Sequence, residues 1–313
     1  MSDGFFVRWG KTLEDDPSVA PFPEILDIEV TTICNNGCKF CYKSNTKNGK
    51  NMNLETFKQI IDKFPINLTQ IAIGACSTML SNPDLFKMAE YARENGVIPN
   101  ITVADLDRET AKKAANTFGA IATSRYENKE PCYNTIQYLK EYGLIQRNIH
   151  LMISENTYDW AIETMNDIKT DKRLEGLNAL VILSLKKKGR GKTYNCLTQE
   201  QFNSLVRHAE ELQVPIGFDS CSAPKYLESI KNHKDFDKLS KFVEPCEAGC
   251  FSSYIDVESN FFPCSFAEGS EGWEEGINVL ELDSINDLWT HPRVEEWRKK
   301  LLGNERSCPI YKV

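Results

Sequence analysis

Three cysteines stand close together near the start of the chain, in the stretch ICNNGCKFCYK. Cys34, Cys38 and Cys41 are separated by three residues and then by two. Structural zinc sites take four ligands, commonly as two CxxC pairs, so three thiols on one loop are a poor zinc signature. Thiolates also hold iron–sulfur clusters, in which a cube of four irons needs one ligand per iron. Three thiolates leave one iron open, and an open position is typical of a catalytic metal.

The chain has 11 cysteines among 313 residues, and several of the others form a second group. Clustered thiols in a reducing compartment indicate metal binding or catalysis rather than disulfides. For isolated cysteines such as Cys132 and Cys196 we expect small buried apolar side chains. The second group, with one cysteine that follows the last predicted strand, comprises Cys221, Cys246, Cys250, Cys264 and Cys308.

Composition limits the classes of partner. Hydrophobic residues make up 41% of the chain and the net charge is −8, which does not favour nucleic acid. The sequence contains no apolar run long enough for a membrane span and no signal-peptide pattern, so we expect a cytoplasmic protein without membrane association. One basic run, KKKGRGK at 186–192, has two interpretations: a solvated loop, or a phosphate or carboxylate contact at the mouth of a site.

Apolar runs alternate with amphipathic patterns along most of the chain. Helices are predicted at 53–64, 83–96, 108–119, 133–143, 157–173 and 198–213. Strands are predicted at 25–32, 68–75, 98–105, 120–126, 148–155, 178–185 and 214–220. Repeated βα order predicts a parallel sheet, and no GxGxxG follows the first strand, which disfavours a dinucleotide fold. We therefore predict an α/β fold, a partial (β/α)6 TIM-like barrel, with the three-cysteine loop at its catalytic end.

The remaining segments complete the predicted organisation. An irregular segment, 1–24, precedes the barrel of 25–220, and linker helices are expected at 221–244. A small α+β module, 245–313, follows, with a hairpin at 251–266 and a helix at 285–302. Because this module is too small to hold a core by itself, a metal site is expected to stabilise it.

The first cysteine motif, with Phe40 before its third cysteine and a strand before its first, resembles the radical S-adenosylmethionine (SAM) superfamily. The resemblance implies a partial barrel and a [4Fe–4S] cluster on Cys34, Cys38 and Cys41. It further implies that the open iron binds SAM, and that an electron from a donor such as flavodoxin or ferredoxin breaks the sulfonium bond. A 5′-deoxyadenosyl radical would then abstract hydrogen from the substrate.

The resemblance also implies contacts to SAM. The family's second strand usually ends in Gly-Gly-Glu, whereas here Gly74 is followed by alanine and cysteine, so Ser77, Thr78 or a backbone carbonyl would replace the carboxylate. A bidentate contact between Arg125 and the methionine carboxylate is expected. The predicted cofactor contacts are Phe40, Gly74, Ser124, Arg125, Ser154 and Glu155.

The second cysteine group resembles the auxiliary-cluster region of the SPASM and twitch branches of that superfamily. Too few cysteines are present for a complete SPASM region, so a twitch-like module with one auxiliary [4Fe–4S] cluster is implied. Cys246, Cys264 and Cys308 are the expected ligands. The fourth is Cys250 by spacing or Cys221 by location, and a four-cysteine zinc site is the alternative.

Three functions follow from these features. The first is an oxidoreductase that oxidises or crosslinks a peptide or protein side chain. Because 33 residues precede Cys34, a leader-binding domain is not expected within this chain, and a peptide would dock on the barrel or arrive with a carrier. The second is a dehydrogenase or rearrangement enzyme for a small metabolite. The third is a non-catalytic iron–sulfur sensor, which the incomplete motif at Gly74 suggests.

Overall fold

Seven parallel strands, in chain order, form the barrel part of the sheet. A computed structural model describes residues 12, 17–64, 68–74 and 81–311. The strands are β1 (Ile25–Glu29), β2 (Gln70–Gly74), β3 (Ile98–Val103), β4 (Ala120–Ser124), β5 (Gln146–Ile153), β6 (Ala179–Ser184) and β7 (Ile216–Phe218). Each strand pairs with the next one along the chain, which is the expected result of repeated βα units.

Helices cover one face of this sheet. They are α1 (Leu54–Lys63), α2 (Leu85–Glu94), α3 (Arg108–Thr117), α4 (Glu130–Glu141), α5 (Tyr158–Thr170), α6 (Gln199–Leu212), α7 (Ala223–Ile230) and α8 (Phe236–Leu239). In α1 the buried residues are Phe57, Ile60 and Ile61, the spacing of an apolar helix face. Asn53 caps the start of α1, since its side chain accepts the Thr56 N–H at 2.8 Å. None of the described helices has the length and apolar character needed to cross a bilayer.

Along the barrel strands, side chains that pack in the core under the helices alternate with side chains that face the barrel interior. In β5, Ile149, Leu151 and Ile153 are buried, whereas His150 and Met152 between them keep partial exposure. Successive side chains of a strand point to opposite faces, so the first set packs under the helices and the second faces inward. His150 and Met152 accordingly line a cavity inside the barrel.

The C-terminal segment extends the same sheet. Its elements are β8 (Ser252–Ile255), β9 (Asn260–Phe262), β10 (Ile277–Asn278), α9 (Ile285–Trp289) and α10 (Pro292–Leu302). β8 pairs in parallel with β1, and the hairpin partners β9 and β10 follow, so the ten-stranded order runs from β10 through β1 to β7 without closing. Phe251 and Tyr254 share one apolar core with Leu26 and Ile28. The helix predicted at 285–302 is divided in two, because Pro292 cannot continue a helix that begins before it.

Trp297 joins α10 to the loop that precedes β8. Its side chain is 5% exposed, and its indole N–H donates to the Ala248 carbonyl at 2.8 Å. Trp297→Ala should lower the free energy of unfolding by about 3–5 kcal/mol through the cavity it leaves. Trp297→Phe should cost about 1 kcal/mol, since it mainly removes the hydrogen bond. Thermal denaturation checks both values, and Lys300→Ala on the exposed face of α10 should stay close to the parent protein.

Candidate functional site

The three-cysteine loop follows β1 and is held against the next segment of the chain. The Thr32 N–H donates to the Lys50 carbonyl at 3.0 Å, and the Cys34 N–H donates to the Thr46 carbonyl at 2.9 Å. Gly37, between the first two cysteines, has a φ of +59°, a conformation that favours glycine. Residues 32–50 thus form a closed loop that presents its thiols at the carboxyl end of β1.

All three thiols line one cavity of about 390 Å³. Gly74 at the end of β2 and Ser124 at the end of β4 line the same cavity. The carboxyl ends of parallel barrel strands are where catalytic groups usually converge. The structure therefore brings the cysteine motif and two of the predicted SAM contacts to one place.

The electrostatics of this cavity suit a metal cluster. Burial raises the pKa of Cys38, a hydrogen bond from Tyr126 lowers it, and the neighbouring thiols of Cys41 and Cys34 raise it. Bound metal would provide the positive charge that three neighbouring thiolates need. Among the described residues, no three His, Cys, Asp or Glu side chains approach closely enough to hold a single ion. The fit to a cluster therefore rests on the shared cavity and the mutual repulsion of the three thiolates.

Phe40 and Ser124 both contact Tyr126, which the sequence did not single out. The rings of Phe40 and Tyr126 are stacked with centroids 6.1 Å apart, and the Tyr126 hydroxyl hydrogen-bonds to Ser124 and Cys38. An aromatic wall of this kind can pack against a planar ligand while its hydroxyl stays hydrogen-bonded. Tyr126 thus connects the cysteine loop to the end of β4.

Arg125 lines the cavity, but most of its guanidinium is already engaged. Its Nη2 donates to Glu163 at 2.6 Å and its Nη1 donates to the Glu127 carbonyl at 3.1 Å. The guanidinium also lies 5.4 Å from the centre of the Trp160 ring. The buried Nε has no hydrogen-bond partner among the described residues. A bidentate carboxylate contact would require Arg125 to release Glu163.

Ser154 and Glu155, also predicted as SAM contacts, do not line this cavity. Ser154 caps the turn before α5, where its hydroxyl and N–H meet the Thr157 side chain. Glu155 is exposed and accepts a hydrogen bond from Asn195 at 3.0 Å. The positions after Gly74, including Cys76, Ser77 and Thr78, lie outside the described residues.

Glu29 is a cavity residue that sequence reasoning missed. It is 6% exposed and accepts a hydrogen bond from the Tyr254 hydroxyl at 3.1 Å. The Lys43 ammonium lies 3.2 Å from Glu29 and also contacts Glu268. Glu29 sits beside Gly74 in the paired register of β1 and β2. The available signal was the alternation of β1, in which Asp27 follows buried Leu26 and Glu29 follows buried Ile28.

A second buried ion pair faces the same cavity. Lys186, 3% exposed at the end of β6, contacts Asp219 after β7. His150 also lines the cavity, and its Nδ1 lies 3.3 Å from the Thr102 hydroxyl. Burial lowers the pKa of His150 to about 4, although Asp219 opposes the shift. A neutral imidazole and a balanced ion pair therefore line the barrel interior.

Four cysteines of the second group act on one another electrostatically. Burial raises the pKa of Cys246, the Ala248 N–H lowers it, and charges at Cys264, Cys221 and Cys308 raise it. Cys221 follows β7 at one edge of the open sheet, whereas Cys246 and Cys264 flank β8 and β9 at the other. These four thiols thus lie within electrostatic range of one another near the opening of the barrel.

Backbone donors point at several of these sulfurs. The Ala267 and Phe266 N–H groups hydrogen-bond to the Cys264 thiol and lower its pKa, while burial raises that pKa to about 11. The Tyr311 N–H donates to Cys308 Sγ at 3.3 Å. Hydrogen bonds to sulfur are among the means by which proteins tune iron–sulfur clusters.

Cys250 lies in different surroundings. It is fully buried in the apolar core, and burial raises its pKa. The charges that act on it belong to Arg298, Arg306 and Glu247. The sequence favoured Cys250 by spacing and Cys221 by location, and Cys221 but not Cys250 is among the thiols whose charges act on Cys246.

Comparisons with known proteins agree with this architecture. No protein-family model and no curated protein sequence matches the chain. Streptococcus suis SuiB bound to precursor peptide SuiA is similar over 90% of this chain and 67% of its own, with a TM-score of 0.71 and 16% identity. SuiB bound to SAM is similar over 89% and 68%, with a TM-score of 0.68 and 16% identity.

A third solved structure, native anSMEcpe with bound AdoMet and Cp18Cys peptide, is similar over 87% of this chain and 82% of its own. Its TM-score is 0.61, again at 16% identity. Both of these proteins, SuiB and anSMEcpe, were solved with bound SAM and with a bound peptide. The predicted α/β fold with a partial barrel is therefore confirmed for this chain.

The neutral state of His150 predicts a loss of stability in weak acid. Its pKa is about 4 in the folded protein and 6.5 ordinarily, so between these values the unfolded chain binds more protons. Stability should therefore fall as the pH falls, by about 2 kcal/mol between roughly pH 7.5 and pH 5. His150→Gln should remove this part of the pH dependence of the thermal midpoint. His233→Gln, away from the cavity, should retain it, and an unchanged profile for His150→Gln would contradict the assignment.

Proposed function

We propose that this chain is a radical SAM enzyme that cleaves S-adenosylmethionine reductively and abstracts hydrogen from a bound substrate. One observation carries the proposal: Cys34, Cys38 and Cys41 line a single cavity at the carboxyl end of β1, inside a barrel with the superfamily's fold. Three thiolates leave one iron of a [4Fe–4S] cluster open. SAM bound at such a cluster supplies a 5′-deoxyadenosyl radical.

The residues around the cavity have separate tasks in this proposal. The three cysteines hold the cluster, and Tyr126 orients Cys38 through its hydrogen bond. Phe40, Gly74, Ser124 and Arg125 remain the proposed SAM contacts that line the cavity. Ser154 and Glu155 would contact SAM only after rearranging, because their present partners lie outside the cavity. The electron would come from a donor such as flavodoxin or ferredoxin.

A second [4Fe–4S] cluster is proposed on Cys221, Cys246, Cys264 and Cys308. Two observations support this set over one containing Cys250. The charges at Cys264, Cys221 and Cys308 raise the pKa of Cys246, and backbone N–H groups donate to the sulfurs of Cys264 and Cys308. Four protein ligands close the coordination of a cluster, which suits electron transfer better than SAM binding. We accordingly place a twitch-like auxiliary module at 245–313, after linker helices at 221–244.

The proposed substrate is a peptide or protein side chain, which would be oxidised or crosslinked. The support is that SuiB and anSMEcpe, with TM-scores of 0.71 and 0.61, were solved with peptides bound. The auxiliary cluster would accept an electron from the substrate radical, so the product should lack two hydrogens or contain a new bond. Mass spectrometry of candidate peptides after reaction measures either change.

A small polar metabolite is the second candidate substrate. The interior cavity, at about 390 Å³, falls within the range of small-molecule sites, and two buried ion pairs face it. Such pairs offer both charges to a polar ligand in a site of low dielectric constant. Equal conversion of a free amino acid and of the peptide containing it would favour this candidate.

SAM cleavage is the direct test of the catalytic proposal. Reduced protein incubated with SAM should release 5′-deoxyadenosine, and Cys38→Ala should abolish this release because the SAM-binding cluster loses a ligand. Cys132→Ala, at a buried cysteine outside the cavity, should retain it. Liquid chromatography of the nucleoside measures the result. A parent protein that binds iron but releases no 5′-deoxyadenosine would support the iron–sulfur sensor instead.

The second cluster has a separate test. Two four-iron cubes give about eight irons per chain. Cys221→Ala should reduce this to about four while leaving SAM cleavage detectable, whereas Cys250→Ala should keep about eight. Iron and zinc are quantified together after anaerobic reconstitution. Loss of iron from Cys250→Ala but not from Cys221→Ala would overturn the ligand set, and one zinc per chain would replace the auxiliary cluster by a structural metal.

A further inference from the structure

The basic run after β6 is placed between the two cysteine sites. The sequence allowed two interpretations of this run, a solvated loop or a phosphate or carboxylate contact. In the structure, most of its basic side chains are instead packed against other parts of the protein. Lys187 and Lys192 are exposed, whereas Lys186, Lys188 and Arg190 are buried or half-buried. The three inner side chains contact groups of both cysteine loops. We call residues 186–191 the β6 strap.

The C-terminal half of the strap is bound to the three-cysteine loop. The Arg190 guanidinium donates from Nε to the Cys38 carbonyl at 2.8 Å and from Nη1 to the Asn45 carbonyl at 3.3 Å. The Arg190 backbone N–H donates to the Cys41 carbonyl at 2.9 Å. Its Nη2 is buried without a hydrogen-bond partner among the described residues. One arginine thus holds both of the later cysteines of the motif by their backbone.

Two glycines make this approach possible. A Cβ on Gly189, whose φ is +56°, would lie 2.4 Å from the Tyr42 carbonyl oxygen, and one on Gly191 would lie 2.9 Å from the Phe40 carbonyl oxygen. Such distances are shorter than van der Waals contact, so a side chain at either position would push the loop away. The Gly-Arg-Gly order therefore fits the strap against the cysteine loop.

The N-terminal half of the strap is bound to the second cysteine site. The Lys188 ammonium contacts the Ser265 and Phe266 carbonyls, each at 3.4 Å, and also the Glu268 carbonyl. These carbonyls belong to the loop that follows Cys264. The Lys186 ammonium lies 4.6 Å from the centre of the Phe266 ring and hydrogen-bonds to Cys221. The strap therefore also holds two loops that carry thiols of the second group.

We propose that the β6 strap fixes the two cluster loops relative to each other, with Arg190 and Lys188 as positioning residues. This inference rests on the proposed function, because it takes both cysteine groups as cluster sites. Charge-assisted hydrogen bonds to backbone carbonyls hold a loop more strongly than neutral ones. A cation close to a cluster also favours its reduced, more negative state, so each residue should raise the reduction potential of the cluster it adjoins.

Redox titration followed by electron paramagnetic resonance tests the inference on the reconstituted full-length protein. Arg190→Met should shift the SAM-binding cluster to a more negative potential and alter its signal, and Lys188→Met should do the same for the auxiliary cluster. Arg190→Lys should restore part of the potential, because it keeps the charge. Lys187→Met and Lys192→Met, in the same segment but exposed, are matched controls. Potentials equal to those of the controls would overturn the proposal.

Hydrogen–deuterium exchange of the same variants, without added iron, separates this inference from the proposed function. Arg190→Met should increase exchange in residues 38–46, and Lys188→Met should increase it in residues 264–268. Unchanged exchange in both variants overturns the strap even if SAM is cleaved. Increased exchange in a protein that never cleaves SAM keeps the strap and rejects the proposed reaction. If Arg190→Met does not fold, Gly191→Ala should give the same local increase, and its absence also counts against the strap.

Discussion

The structure depends on polar contacts that join the two edges of a sheet that does not close. β7 and the β8–β10 hairpin end the ten-stranded order, so the barrel has an opening between them. Lys188, on the β7 side of that opening, contacts the Ser265 and Phe266 carbonyls on the other side, and Lys186, which pairs with Asp219, lies 4.6 Å from the centre of the Phe266 ring. Backbone hydrogen bonds cannot bridge edges that are not paired, so side chains must do so.

Buried charges of this kind are costly unless each has a partner. Desolvation can exceed the attraction within a buried ion pair, and apolar replacements are often as stable. Here both ion pairs, Lys186–Asp219 and Lys43–Glu29, line the cavity in which the proposed reaction occurs, which explains why charge is retained there. The neutral His150 supports the same interpretation, since the interior disfavours an unpaired proton charge. The barrel interior thus contains two ion pairs and a neutral histidine, while the stability of the fold comes from the apolar layer outside it.

The strands and most helices were predictable because their apolar periodicity reflects a continuous burial pattern. The single helix predicted at 285–302 was wrong in this respect, because the prediction overlooked that Pro292 cannot continue a helix that begins before it. The cavity residues were harder to predict, because Glu29, Lys186 and His150 become neighbours only when separate strands pair. The SAM contact of Ser154 remains a prediction, although in this structure its side chain bonds to Thr157 at the turn before α5. Local hydrogen bonding competes with function at such positions.

The two cysteine groups differ in their number of thiols and in how far apart those thiols lie along the sequence. One short loop supplies Cys34, Cys38 and Cys41, so that site can form as soon as the loop closes on itself. Cys221 and Cys308, in contrast, are distant in sequence and come within electrostatic range of each other only in the assembled fold. Metal bound to the second group would therefore stabilise the tertiary fold, because it favours the assembled state over the unfolded chain. Under the proposed function, the first site would therefore form locally, whereas the second would form only together with the assembled fold.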